Sequence, residues 1–568
     1  MIFRKGKKNR KLSTVEFDEI LLDASNVSQL NQARFEGQLE RPIRSWSIYF
    51  VGIIFTLTAT WFSFSIFSLQ IIEGAELRQV SENNSLNRGL LIAERGVIYD
   101  RAGQMLVWNE FDPNDEFDFA ARSYTDKIGL GQILGYVSYP QKDNNNLYWR
   151  TEYVGRNGVE GIFNTTLSGL NGEALIEVDA LGNVIGEHVV RHPVPGSPIK
   201  LSVDAELTQA MYDIIATSSA QAGFRSGAGA IMDIHTGELL AMTSYPSYNP
   251  AVMASGRPAE LIASWNSDER FPFLNKVVGG VYVPGSVVKP FVAYGALVEN
   301  VVTADTIIES TGSITIPNPY NPSNPSRFTD WRAHGRMDLR EAIAFSSNVY
   351  MYQISGGYRS QSGMGITRMN QYFHKFGLGS RTGVNLQNEQ IGVVPNPEWK
   401  LNVFDDVWRL GDTYLSSIGQ FGWQTTPIQI LRAYAGIASG EKLVVPHVLY
   451  GEQGDKEFLN LNQSALDEVR RGMRMAVNYN GGTARPLERR DVAIAAKSGT
   501  AEIGAGNAYV NSWVAGYWPY EDPQYAFVIM MDKAPRTNQL GATRVMGDIV
   551  QWMSEYKPEY LGLDIDRE

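Results

Sequence analysis

The sequence predicts an α+β protein carried on one N-terminal transmembrane helix, and three observations predict it. Residues 46–72 contain no charged side chain, a run long enough to cross a bilayer. Beyond residue 196, apolar runs at 227–242, 492–496, 512–516 and 525–531 alternate with helical stretches, the pattern of an antiparallel sheet flanked by helices. Between these regions, residues 73–195 hold short alternating segments and turns, as expected of a mainly β or extended pedestal.

Bulk properties narrow the function classes. At 568 residues the chain exceeds one ordinary core, so several domains are expected. With 43% apolar and 20% charged residues, it is not a disordered chain. A net charge of -11, with no basic patch outside the first residues, argues against nucleic acid as a partner. The lack of cysteine removes disulfides, thiolate metal sites and a cysteine nucleophile.

Arg4, Lys5, Lys7, Lys8, Arg10 and Lys11 open the chain, and a polar segment follows, so residues 1–45 read as a tail. The apolar run comes next. About 22 residues at ~1.5 Å each reach ~33 Å, enough for the hydrocarbon core. The run is too long for a signal peptide and no A-x-A site ends it. Because the basic flank precedes the span, the tail is expected in the cytoplasm and residues 73–568 outside, in a single-pass arrangement.

In the pedestal, residues 97–99 suit a strand and Arg101-Ala102-Gly103 a turn. Residues 155–163 read as a turn entering a short helix, and residues 173–178, with Gly182 beyond, as a hairpin. Gly129-Leu130-Gly131 lacks the spacing of a dinucleotide loop. Pro193-Val194-Pro195-Gly196 breaks the pattern and marks the expected boundary between a 73–195 domain and a 196–568 domain. An amphipathic helix over 205–216 and a hairpin over 227–242, turning at His235-Thr236-Gly237, open the larger one.

Three short strings carry the chemistry. In Pro284-Gly285-Ser286-Val287-Val288-Lys289, the turn leads into a helix, and Lys289 falls one turn beyond Ser286 on the same face. A serine needs a base to become a nucleophile, and a lysine desolvated by Val287, Val288 and Phe291 is one. Alone, the string equally describes an N-cap serine beside a solvated lysine. Residues 339–345 read as helix ending in Ser346-Ser347-Asn348, which is either a cap or a hydroxyl and an amide turned into one cleft. The strand run 492–496 ends in Lys497-Ser498-Gly499-Thr500. That is either a solvated strand end or a positive charge beside hydroxyls, with Gly499 admitting a substrate backbone.

S-x-x-K, S-x-N and K-[ST]-G in this order form the set of β-lactamases and penicillin-binding proteins. Further strings agree: Arg95-Gly96-Val97-Ile98-Tyr99-Asp100-Arg101, Pro246-Ser247-Tyr248-Asn249-Pro250, Gly419-Gln420 and Thr426-Pro427-Ile428-Gln429. From residue 46 onward the sequence resembles class B penicillin-binding proteins, most of all the elongation-type penicillin-binding protein 2. It departs at Phe421, where many relatives place glycine after Gly-Gln.

The resemblance implies a peptidoglycan D,D-transpeptidase domain over 196–568 on a dimerisation-like pedestal, cross-linking stem peptides through a serine acyl-enzyme during cell-wall elongation. It implies Ser286 as nucleophile, Lys289 as proton acceptor, Ser346 as relay to the leaving amine and Asn348 as a ligand of the donor peptide amide. Lys497 would steer the terminal carboxylate, with Ser498, Gly499 and Thr500 lining its place, and the N–H groups of Ser286 and Thr500 would form the oxyanion hole. No metal or cofactor is required. The six histidines lack the H-E-x-x-H spacing, while sequence distance leaves a Ser–His pairing open. Asp330, Trp331 and His334 can line the cleft.

The partners implied are stem peptides, lipid-linked nascent glycan, the membrane, a SEDS-family glycosyltransferase, and β-lactams as covalent inhibitors. The region before residue 196 is too short for a glycosyltransferase domain beside a pedestal. The rival readings are a septation-type transpeptidase, a membrane-anchored penicillin sensor, a serine β-lactamase and a silent scaffold.

Overall fold

The computed structural model describes residues 45–75, 77–78, 86–111, 119–144, 148–178, 184–318, 321–538 and 540–563. The basic cluster and nearly all of the expected tail, and Gly182 of the expected hairpin turn, lie outside the described residues.

Ser45–Phe67 is an α-helix that continues into a wider turn at Ser68–Ile72. Residues 46–72 form one helix long and apolar enough to cross a membrane. Its three threonines are satisfied internally. The hydroxyls of Thr56, Thr58 and Thr60 each donate to the carbonyl four residues earlier at 2.7 Å, as a hydrocarbon surrounding demands.

In the pedestal, a four-stranded sheet runs in the order Ile199–Lys200, Ile98–Tyr99, Met105–Glu110, Ala121–Tyr124. Ile199–Lys200 joins it in parallel, so a strand from beyond the Pro193–Gly196 break completes this sheet. Gly172–Val178 and Val184–Arg191 are neighbouring strands, in keeping with the expected hairpin. Gly158–Ile162 is the short helix, and its Glu160 is fully buried between two arginines. Arg95 Nε donates to Glu160 Oε2 at 2.5 Å and Arg122 Nε to Oε1 at 2.8 Å. Arg122 also donates to Gly96 O and Asn109 Oδ1, tying three segments to one carboxylate.

The larger region is built on a five-stranded antiparallel sheet in the order Leu239–Tyr245, Ser226–Asp233, Tyr525–Pro535, Tyr509–Trp518, Ala495–Ile503. Successive side chains of a strand point to opposite faces. Phe527, Ile529 and Met531 accordingly pack in one core with residues of the helices Ala205–Ala222 and Ala542–Tyr556. Ala526, Val528 and Met530 join the other, with the buried helix Pro427–Ser439. Helices on both faces explain why these strands read as unbroken apolar runs.

Two elements differ from expectation. The strand predicted over 492–496 begins at Ala495 and runs to Ile503, so Lys497-Ser498-Gly499-Thr500 lies within it. It continues because all nine of its positions, Ala495 to Ile503, pair with the Tyr509–Trp518 strand. Being at the sheet edge, it keeps its other side unpaired. Residues 348–356 form a helix that the hydrophobic pattern does not announce, with Ser347 as its N-cap accepting from Tyr350 N.

Removing the pedestal's shared carboxylate leaves two buried guanidinium groups without their counter-charge. Glu160→Ala is expected to destabilise the protein by about 3–5 kcal/mol, read as a lowered unfolding midpoint in thermal denaturation. An unchanged midpoint would show that the cluster contributes nothing net.

Candidate active site

The turn bearing Ser286 is clamped between two backbones. Gly285 has φ +58°, and a Cβ there would lie 2.6 Å from Thr500 O. Its N–H donates to Gly419 O at 3.0 Å. Trp513 Nε1 holds Val283 O at 3.0 Å and the Tyr434 hydroxyl holds Val287 O at 2.8 Å. Gly285–Val288 is a 3-10 turn that passes into the helix Lys289–Val298. The Lys289 N–H donates to Ser286 O, the i to i+3 bond of a turn with three residues per repeat. Ser286 is half-buried, at the surface end of this turn.

Lys289 is fully buried, and its amine has three acceptors. Nζ donates to Ser346 O at 2.7 Å, Ser346 Oγ at 3.2 Å and Asn348 Oδ1 at 2.7 Å. The geometry at Ser346 is made by a kink. The Leu339–Ala344 helix, closed at its start by an Asp338–Glu341 capping box, ends just before it. The next helix begins at Asn348, and Ser346 between them takes φ +58°. A left-handed serine is a strained residue, held because its carbonyl and hydroxyl both reach the lysine. Burial pulls the Lys289 amine down from its ordinary value to about 7, against an upward pull from the Asp330 carboxylate.

Lys497 is also fully buried and donates to Ser498 O at 2.7 Å. Burial, and then the charge of Lys289, holds its ammonium well below the usual lysine range. The charge of Lys289 thus reaches the Lys497 amine. Ser498 Oγ donates to Thr483 Oγ1 at 2.8 Å, and Thr483 bonds Ala344 O through both its N–H and its hydroxyl. Thr483 thus ties the edge strand to the helix end before Ser346. In the sequence, the local signal for Thr483 is the Gly481-Gly482-Thr483 break between helix and strand.

Gly499 was expected to admit a substrate backbone. Its observed neighbours are internal: a Cβ there would lie 2.9 Å from both Pro284 O and Val287 Cγ1. Glycine is needed for the Ser286 turn to pack on the strand. Thr500 is exposed, one residue further along the edge.

Phe421 has φ +60°, a backbone conformation that glycine adopts freely. Its ring packs edge-on against Trp399 and Trp408, with Lys400 Nζ 5.5 Å from its centroid. This cluster holds a conformation that costs a non-glycine residue about 1–2 kcal/mol. The histidines bond elsewhere: His235 to Pro523 O, His374 to Leu378 O and His447 to Thr236 O, while His334 lies 3.5 Å from Asp330. Among the described residues, no histidine is hydrogen-bonded to Ser286.

The family model of the penicillin binding protein transpeptidase domain matches residues 227–551, and that of the penicillin-binding protein dimerisation domain matches residues 118–201. Peptidoglycan D,D-transpeptidase MrdA of Acinetobacter baumannii is 32% identical over 432 residues, 71% of this chain and 62% of the relative. The chain therefore spans less than two thirds of that relative's length. Among solved structures, Pseudomonas aeruginosa PBP2 in complex with WCK 5153 has a TM-score of 0.68 at 27% identity, covering 84% of this chain and 99% of that one. PBP2 of Helicobacter pylori, in a complex with MreC, also has a TM-score of 0.68, at 25% identity over 83% of this chain and 99% of that one. The transpeptidase match takes in more than half of the residues and all three motifs, and the chain belongs to the penicillin-binding protein transpeptidase family.

Proposed function

We propose that this protein is a peptidoglycan D,D-transpeptidase of the elongation type, working through an acyl-enzyme on Ser286. The observation that carries the proposal is the Lys289 amine, buried one turn beyond Ser286 and held by Ser346 and Asn348 at hydrogen-bond distance. A lysine near 7 is an effective proton acceptor at neutral pH.

In this reading Ser286 Oγ attacks the carbonyl between the two terminal D-alanines of a stem peptide, and its proton passes to Lys289 Nζ. The N–H groups of Ser286 and Thr500 hold the oxyanion; each such donor is worth ~10²–10³ in rate. Collapse breaks the peptide bond, and the departing D-alanine amine takes its proton by way of Ser346. Asn348 binds the donor peptide amide. Lys497 meets the terminal carboxylate, whose arrival favours the ammonium that burial otherwise disfavours. Ser498 and Thr500 add hydroxyl donors. An amine from a neighbouring strand then attacks the Ser286 ester, forming the cross-link and freeing the hydroxyl.

The 46–72 helix anchors the enzyme, with the N-terminus in the cytoplasm and the catalytic domain outside. Similarity to MrdA and PBP2 proteins favours elongation over septation. In this reading the polymerised glycan comes from a separate SEDS-family glycosyltransferase. β-Lactams acylate the same serine.

Ser286→Ala is expected to abolish covalent labelling by a fluorescent penicillin while leaving the circular dichroism spectrum intact; labelling that persists would refute the serine assignment. For the unaltered protein, the second-order acylation rate should climb with pH through about 7, as Lys289 loses its proton. A rate flat from pH 5.5 to 8.5 would remove Lys289 as the base. Lipid-linked substrate, supplied with a glycosyltransferase, should yield cross-linked dimers from the wild type and only linear strands from Ser286→Ala; rapid penicillin hydrolysis without cross-links would instead identify a β-lactamase.

A further inference from the structure

Asp330 follows the Ser326–Thr329 strand, and its side chain is buried. Its Oδ2 accepts from Ser347 Oγ at 2.7 Å, Val349 N at 3.0 Å and Ser310 Oγ at 3.2 Å. Its Oδ1 accepts from Trp331 N at 2.9 Å. Burial alone would raise its carboxyl, but bonds from the Asn348 and Val349 backbone and the Ser347 hydroxyl, with the Lys289 charge, hold it below the usual range. It is therefore a carboxylate, seated at the N-terminus of the Asn348–Gly356 helix, where the helix dipole favours negative charge. Asn348 Nδ2 donates to Thr329 O, the residue just before, at 3.3 Å. The segment that presents Ser346 and Asn348 to Lys289 is thereby pinned to Asp330 on its far side.

We propose that Asp330 is a positioning residue for the Lys289 amine: it fixes the 347–349 backbone so that Ser346 and Asn348 stay on Nζ, and it brings a fixed negative charge to the segment that holds the amine. The proposal rests on the reading of Lys289 as the proton acceptor. It gives the S-x-N segment a counterpart outside the three motifs. Without it, a neutral Lys289 would hold its neighbours less firmly, and a protonated one would face Lys497 uncompensated.

The other titratable groups around this pair come from three elements. Lys497 lies on the edge strand, Tyr352 on the 348–356 helix, and His334 in the loop that follows Asp330. His334 Nδ1 accepts from Arg332 Nε at 3.3 Å, and its Nε2, 3.5 Å from Asp330 Oδ1, has no hydrogen-bond partner. Burial lowers His334, so above neutrality the ring is neutral and adds no positive charge beside the Asp330 carboxylate.

Asp330→Asn keeps the shape and removes the charge. Acylation of the full-length protein by a fluorescent penicillin, followed from pH 5 to 9, reads the two roles separately. The expected result is a plateau rate lowered at least tenfold and a midpoint displaced to lower pH by roughly one unit, since loss of a nearby carboxylate favours the neutral amine. A lowered plateau with the wild-type midpoint would overturn the electrostatic role, and a wild-type profile would overturn both. If Asp330→Asn does not fold, Asp330→Glu serves. It keeps the charge but displaces the oxygens, so the midpoint stays while the plateau falls; a wild-type plateau overturns the positioning role. Lys289→Ala tests the underlying reading on its own. If that variant acylates with the wild-type profile, Lys289 is not the base, whatever Asp330 does.

Discussion

The burial of one amine constrains everything around it. Lys289 is removed from water on the first turn of a helix whose other residues, up to Ala296, are buried too. A buried ammonium without partners costs several kcal/mol, so its three acceptors are conditions of the fold before they are parts of a site. Two of them come from Ser346, which accepts a left-handed backbone to provide them. The third, Asn348, sits at the start of a helix whose cap and carboxylate lie on the opposite side. The same burial that makes the ammonium expensive lowers its pKa, leaving a neutral amine able to accept a proton near neutral pH. Stability and chemistry here are two readings of one desolvation.

The second constraint is the close approach of the Ser286 turn to the sheet edge. Gly285 and Gly499 leave no room for a Cβ, because each faces the other's backbone neighbours. The turn's carbonyls are in turn held by Trp513 and Tyr434, side chains rooted in the sheet and in the central helix. Through this packing Ser286 and Thr500 come onto adjacent backbones, though more than two hundred residues separate them. Thr483 closes the third side by joining Ser498 to the end of the helix before Ser346.

Much of this was legible in the sequence, for reasons that differ from element to element. The 46–72 run and the central strands declare themselves by composition, since lipid and two-sided burial both demand unbroken apolar residues. Ser286 and Lys289 are legible because a helical turn fixes which side chains share a face. Asn348 and Ser346 are legible only as a string; their common contact with Lys289 depends on the kink, which no local pattern encodes. Gly499 was seen, but for a different reason, since its neighbours come from residues 284 and 287. The extension of the edge strand to Ile503 was missed because its solvent-side residues carry no apolar signal. Thr483 and Asp330 escaped a defined role because their partners lie 15 to 139 residues away. Phe421 is a departure from the resemblance, and its positive φ is one that glycine adopts freely.

The charge state of the buried lysine decides whether Ser286 has a base, and it can be measured directly. Nuclear magnetic resonance of protein labelled at its lysine side chains, with Lys289→Arg used to assign the signal, follows the Lys289 amine as pH is varied. A midpoint at about 7 in the unacylated protein is the predicted result. An amine that stays protonated to pH 10 would contradict the account, because such a lysine could anchor Ser346 and Asn348 but could not take a proton from Ser286.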